Sequence, residues 1–195
     1  MAKKSLSLNL SPLHLAASTD DMRPALGYIQ IKGGIATATN AHILVRLKLA
    51  AWFDNKELEV LEGKLIHRNF WELMTKNFFK VENKEGNAPQ LVVFTKLGKV
   101  YCEFGTEIFP VIDDIWNEKF EVAYPSDFIS FSPLELARIH KIIGKMQLVI
   151  YQGHSKLSTK PLIIYSPTND NAMAVLMPMS HDYTVPLFYQ DFLVK

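Results

Sequence analysis

Residues 20–44 read DDMRPALGYIQIKGGIATATNAHIL, and this stretch decides how the rest of the chain is read. Tyr28-Ile29-Gln30-Ile31 and Ile35-Ala36-Thr37-Ala38-Thr39 have strand composition and flank Lys32-Gly33-Gly34. Glycines supply the positive φ that a two-residue hairpin demands, so the stretch predicts an antiparallel pair. Ile43 to Leu49 then reads as the next strand.

Outward from this hairpin the same order recurs. Ser11-Pro12-Leu13-His14-Leu15-Ala16 and Ser132-Pro133-Leu134-Glu135-Leu136-Ala137 each place Ser where an N-cap is favoured and Pro in the first turn. Each follows a short alternating run, Leu6 to Leu10 and Phe128 to Phe131, that predicts a strand. Between them, Leu58 to Leu61 reads as a strand and His67 to Phe79 as a helix with Phe70, Trp71, Met74 and Phe78 on one face. Lys80 to Ala88 reads as a charged loop, and Gln90 to Thr95 and Lys99 to Phe104 as a hairpin around Leu97-Gly98. The third pass gives a helix from Pro133 to Lys145 and strands near Gln147 to Tyr151, Pro161 to Tyr165 and Ala172 to Met177. Three copies of strand, helix and antiparallel strands predict an α+β fold of repeated βαβββ half-domains, helices on one face of antiparallel sheets. The expected division is 6–122 (two half-domains), 123–181 (a further half-domain, after Ala123-Tyr124-Pro125-Ser126) and a tail at 182–195.

Composition narrows the function. The chain has 195 residues, 48% of them hydrophobic, which supports a core and excludes wholesale disorder. Its formal charge is +1, so any attraction to nucleic acid must come from segregated patches. The single cysteine, Cys102, excludes an internal disulfide and points to a reducing compartment. It alternates with charged and aromatic neighbours as a small core residue on a strand's inner face. No apolar run approaches the roughly 20 residues of a helical membrane span, and Asn9, Pro12 and His14 break any signal-like stretch after Lys3 and Lys4. A cytoplasmic protein with no membrane association is expected.

Catalytic and metal chemistry find no constellation. The six histidines, at 14, 42, 67, 140, 154 and 181, form no i,i+4 pair and no cluster with cysteine. Asp113 and Asp114 are adjacent on extended chain and point to opposite faces. Gly33-Gly34 lacks the Lys-Ser/Thr of a phosphate loop. No enzyme, metal or cofactor is expected. Basic residues are more informative: Arg138, Lys141 and Lys145 share one face of the third predicted helix, opposite Leu136, Ile139 and Ile143. Arg68 and Lys76 share a face of the second helix with Glu72 between them, where it can pair with both. A basic stripe on a helix matches phosphates, which require charge and no reading of bases.

The motifs together resemble the bacterial replicative sliding clamp, the β subunit of the DNA polymerase holoenzyme. That family shows Asp-x-Arg-x-x-Leu, a hairpin, then Ala-Thr-Asp-Gly-His-Arg-Leu; the matching residues are Asp21, Arg23 and Leu26, then Ala38 through Leu44. Phe109-Pro110 with Ile115 is similar to the family's Phe-Pro-Asp-Tyr segment, and Ala174 to Met179 to its terminal Val-Met-Pro-Met-Arg-Leu. The match covers roughly residues 8 to 180. It implies a clamp fold whose helices line a ring around double-stranded DNA without sequence preference, with Arg138, Lys141, Lys145, Arg68 and Lys76 toward phosphates. It also implies an apolar pocket for a Gln- and Leu/Phe-containing peptide of DNA polymerase or another clamp-binding protein, formed by Leu26, Thr39, Ala41, His42, Leu44, Ile115, Met177, Pro178 and Met179.

Departures are specific. Asn40 and Ala41 stand for Asp-Gly, Ile43 for Arg, and Ser180-His181 for the closing Arg-Leu. Family chains hold three domains of two half-domains each, so three half-units here imply a homo-oligomer, four chains if twelve half-units still close a ring. Gln190-Asp191-Phe192-Leu193 in the tail is faintly like a clamp-binding peptide and is expected to dock in its own or a neighbour's pocket. The resemblance implies a non-enzymatic replication or repair accessory. The alternative is an interaction module that binds partner peptides without encircling DNA.

Overall fold

The computed structural model describes residues 10–82, 88–112, 120–121, 131–144, 149–153, 161–166 and 169–177. Its opening hairpin joins β1 (Tyr28–Lys32) to β2 (Ile35–Thr39), with Gly33 and Gly34 at φ 60° and 71°. Both central residues with positive φ make a turn whose twist matches the strands, as the Gly-Gly pair predicts. β3 (Ile43–Lys48) pairs with β2. Later come β4 (Leu65–His67), β5 (Phe78–Glu82), β6 (Gln90–Thr95), β7 (Gly98–Tyr101), β8 (Phe104–Gly105), β9 (Phe120–Glu121), β10 (Val149–Gly153), β11 (Leu162–Ser166) and β12 (Asn169–Leu176). They form a nine-stranded antiparallel sheet, β8-β4-β1-β2-β3-β12-β11-β10-β9, and a three-stranded one, β5-β6-β7. The large sheet takes strands from both sides of residue 122.

Strand alternation builds two apolar layers. Ile29, Ile31, Ala36, Ala38, Val45, Leu47, Leu162, Ile164, Ala172 and Ala174 point to the side carrying the helices. Leu44, Leu65, Ile163 and Val175 point the other way and pack with Phe109 and Ile112. On the helix side lie α2 (Arg68–Lys76), α3 (Pro133–Ile143) and a 3-10 turn at Leu13–Ala16. The alanines of β2 and β12 leave room there for the bulk of Trp71, Leu13 and Ile139, all fully buried. The three-stranded sheet adds Leu91 and Val93 to the same core.

Several expectations are corrected. Leu58 to Leu61 belongs to a helix, α1 (Asn55–Leu61), because Asp54 and Glu57 form a reciprocal capping box ahead of it. The second helix stops at Lys76; Phe78 and Phe79 start β5, which also takes Lys80 to Glu82 out of the expected loop. The two Ser-Pro sequences diverge. Ser132 accepts the Glu135 amide as a cap should, at 3.5 Å. Ser11 caps nothing: its hydroxyl donates to the Ile142 carbonyl at 2.7 Å, and its carbonyl accepts Trp71 Nε1–H at 3.0 Å. It is a clasp between α2 and the last turn of α3, satisfying a carbonyl that the helix end leaves unpaired. The expected strands at Leu6 to Leu10 and Phe128 to Phe131 fall mostly, and the linker at 123–126 and the tail entirely, outside the described residues. Cys102 is buried just beyond β7, and burial, with Glu103 nearby, pushes its thiol up to about 12.

Candidate functional site

One end of the large sheet gathers the motif residues. Thr39 pairs with Leu44, Leu176 with Ile43, and the Met177 amide donates to the His42 carbonyl at 2.8 Å. The intervening turn is closed by its own side chains. Thr39 Oγ1 donates to the Ile43 carbonyl (2.7 Å) and accepts the Ala41 amide (3.1 Å). Asn40 Oδ1 accepts the amides of both His42 and Ile43 at 2.9 Å. This geometry holds Ala41 at φ 76°, a left-handed conformation in which its Cβ is crowded. Ala41→Gly should therefore stabilise the protein by about 0.5–1 kcal/mol, the relief of strain exceeding the extra freedom gained by the unfolded chain. A urea midpoint that rises at constant m-value checks it.

Beside the turn opens a polar cleft of ≈ 320 Å³ whose walls come from four places in the chain. Residues 15–23 contribute Ser18, Asp20 and Arg23; the turn contributes Asn40 and His42; α2 contributes Arg68; α3 contributes Glu135 and Arg138. Glu135 is the hub. It is only 7% exposed, receives Asn40 Nδ2 at 3.1 Å and is bridged to Arg138 Nη1 at 2.6 Å. Arg23 sits loosely by Asp20 at 3.8 Å, both largely exposed. Arg68 differs: its Nε is buried without a hydrogen-bond partner, and among the described residues it joins no ion pair.

Beneath this wall lies His14, buried, with Nδ1 unpartnered. Burial lowers its pKa; the Glu72 carboxylate opposes this, while the Arg68 and Lys76 charges reinforce it. The unfolded imidazole titrates near its ordinary value of about 6.5, so between the folded and unfolded values only the unfolded chain takes up the proton. The stability linked to His14 is thus complete above about pH 6.5 and is lost as pH falls toward the folded value. Urea unfolding of wild type and His14→Gln across pH 5 to 8 should show the wild type losing more stability on acidification (about 1.4 kcal/mol per unit of pKa difference).

Of the pocket residues expected from sequence, Ala41 and His42 are exposed, Met177 is 38% exposed beside them, and Leu26 is half-buried in a 3-10 turn, Pro24–Gly27, leading into β1. Register places all of these at the same end of the sheet, because Gln30 faces Thr37 across the hairpin. Leu44 is buried in the second apolar layer, and the Thr39 hydroxyl is committed to the turn. Ile115, Pro178 and Met179 lie outside the described residues. Of the basic set, Arg68 and Arg138 meet in the cleft, Lys76 is paired with Glu72 at 2.6 Å, Lys141 is exposed, and Lys145 lies outside the described residues. Sequence reasoning missed Asn40 and Glu135 as the joint between turn and helix. Glu135 is legible at spacing i,i+3 from both Ser132 and Arg138; its partner 95 residues earlier is not. Among the described residues no group of three or more His, Cys, Asp or Glu could hold a metal, and no helix is long and apolar enough to cross a membrane.

No protein-family model and no curated protein sequence matches the chain. Solved structures do. A DNA polymerase III β-subunit sliding clamp from Bartonella birtlesii superposes with TM-score 0.61 at 13% identity, covering 86% of this chain and 62% of that one. The β subunit from Pseudomonas aeruginosa gives 0.58 at 12% identity, over 93% of this chain and 69% of that one. The β subunit from Thermotoga maritima gives 0.54 at 12% identity, over 92% and 67%. The chain has the sliding-clamp fold and spans about three-fifths to two-thirds of the length of the clamps it matches.

Proposed function

We propose that this protein is a non-enzymatic, clamp-like accessory of DNA replication or repair that oligomerises around duplex DNA and tethers partners through a peptide pocket. The carrying observation is that, on a sliding-clamp fold, exposed Met177, His42 and Ala41 and half-buried Leu26 collect at one sheet end. Beside them a cleft holds Arg68 and Arg138 on the helices. Methionine and leucine give an adaptable apolar floor for a Gln- and Leu/Phe-containing peptide, which Leu26, Thr39, Ala41, His42, Leu44, Ile115, Met177, Pro178 and Met179 would receive. Arg138, Lys141, Lys145, Arg68 and Lys76 would face phosphates without reading bases. Three half-units, divided as 6–122 and 123–181, require several copies to close a ring.

A second reading has its own observation. Arg138 is bridged to Glu135 and Lys76 to Glu72, which leaves less free positive charge on the helices than the sequence implies. That favours a module that binds partner peptides without encircling DNA. Reversing Arg138, Lys141 and Lys145 to glutamate separates the two. A clamp loses retention on closed circular duplex, with the salt slope falling by about 0.9 per phosphate contact, and still binds a labelled partner peptide. Unchanged behaviour on DNA selects the module. Light scattering that finds only monomers at high concentration, with and without primed DNA, removes the ring.

A further inference from the structure

The polar cleft has an unbalanced composition that loose contact with a DNA backbone does not require. Three guanidiniums, Arg23, Arg68 and Arg138, face two carboxylates, Asp20 and Glu135. Arg138 is held at 2.6 Å by Glu135 and Arg23 rests 3.8 Å from Asp20, which leaves Arg68 as the cleft cation outside these pairs. Among the described residues no acceptor meets Arg68 Nε and no carboxylate pairs with its guanidinium. Arg68 also opens α2, so the helix N-terminus adds partial positive charge beside it.

We infer that this cleft is a binding site for a phosphomonoester group, anchored on Arg68 and completed by Arg23 and Arg138. A carboxylate offers two oxygens and is satisfied by one guanidinium fork, whereas a terminal phosphate offers three and carries close to two charges. That matches a cleft lined by three arginines. The cleft, ≈ 320 Å³, sits at the lower end of small-ligand pockets, so it accepts the phosphate with an attached sugar-sized group. Glu135 competes with the ligand for Arg138, while Asn40 keeps Glu135 in place. His42, exposed on the rim, adds a donor to the bound group. The site does not depend on ring closure, because every residue in it belongs to one chain. The same chemistry could arrive on a 5′-phosphorylated strand end or on a free nucleotide.

Titration with inorganic phosphate, followed on the amide resonances of Ala41 and His42 against chloride at matched ionic strength, tests it without DNA. Saturable shifts are expected in the wild type. Arg68→Gln should weaken binding about tenfold or more, and Glu135→Gln, which frees Arg138 while keeping its shape, should tighten it. Arg138→Gln serves as a second weakening variant should Arg68→Gln fail to fold. Adenosine monophosphate and duplexes ending in 5′-phosphate or 5′-hydroxyl then identify the source; preference for the phosphorylated end, or binding of the free nucleotide, each upholds the site. No saturable shift in the wild type, or equal shifts in wild type and both arginine variants, overturns it. Arg138 belongs to both sites, so Lys141→Glu, outside the cleft lining, separates them: it should weaken DNA retention and leave phosphate binding intact, so the two readings fail separately.

Discussion

Replacing Trp71 by alanine should destabilise the fold by about 3–5 kcal/mol, the range for emptying a buried indole site. Trp71 is fully buried in the main core between α2 and the 3-10 turn. Its Nε1–H is also half of the Ser11 clasp. Removal opens a cavity and takes the indole donor from the Ser11 carbonyl, which keeps the Leu13 amide at 2.8 Å, so the cavity dominates the cost. Trp71→Phe keeps much of the ring volume and loses the hydrogen bond, so a smaller cost of about 1–2 kcal/mol is expected. Urea denaturation at constant m-value measures both. A loss below about 1 kcal/mol for the alanine variant would show that the clasp and its core contribute little.

The second large effect comes from the joint between turn and helix. Asn40→Asp keeps the turn acceptor, since a carboxylate oxygen can take the His42 and Ile43 amides as Oδ1 does. It converts the other contact from a donor into a second carboxylate beside Glu135, at a separation of 3.1 Å in the native pair. The expected cost is about 2–3 kcal/mol, from a lost charge-assisted hydrogen bond and like-charge repulsion in a buried setting. It should be largely rescued by Glu135→Gln in a double-mutant cycle. Additive costs with no rescue would mean that Asn40 acts only within its own turn. The same contact explains the sequence departure: where the resembling family carries Asp, this chain carries the residue that can donate to Glu135.

Much of this architecture was legible because its signals are local. Gly33-Gly34 dictates the hairpin through φ, and Ser132-Pro133 dictates where α3 begins. The misreadings have local causes too. Leu58, Val60 and Leu61 look like strand residues until the Asp54-Glu57 box is weighed. Phe78 continues the helical face in register, yet the helix has already stopped at Lys76. Ser11 and Ser132 have the same immediate sequence and opposite fates, because only one is offered a helix-end carbonyl by a distant element. The site was half legible. Residues at the sheet end carry a motif, whereas the meeting of Arg68 with Arg138 and of Asn40 with Glu135 depends on tertiary packing that no spacing encodes.

The seam between β3 and β12 sets a schedule for synthesis. Residues 43–47 find their partners only at 172–176, so β3 waits with an open side until nearly the whole described chain has left the ribosome. Such distant pairing delays the rewarding contacts behind a large loop closure, which makes folding slow and late. A nascent chain halted before residue 172 carries an apolar strand that any neighbouring polypeptide can cap, and cellular holdases would be expected to attend it until β12 emerges.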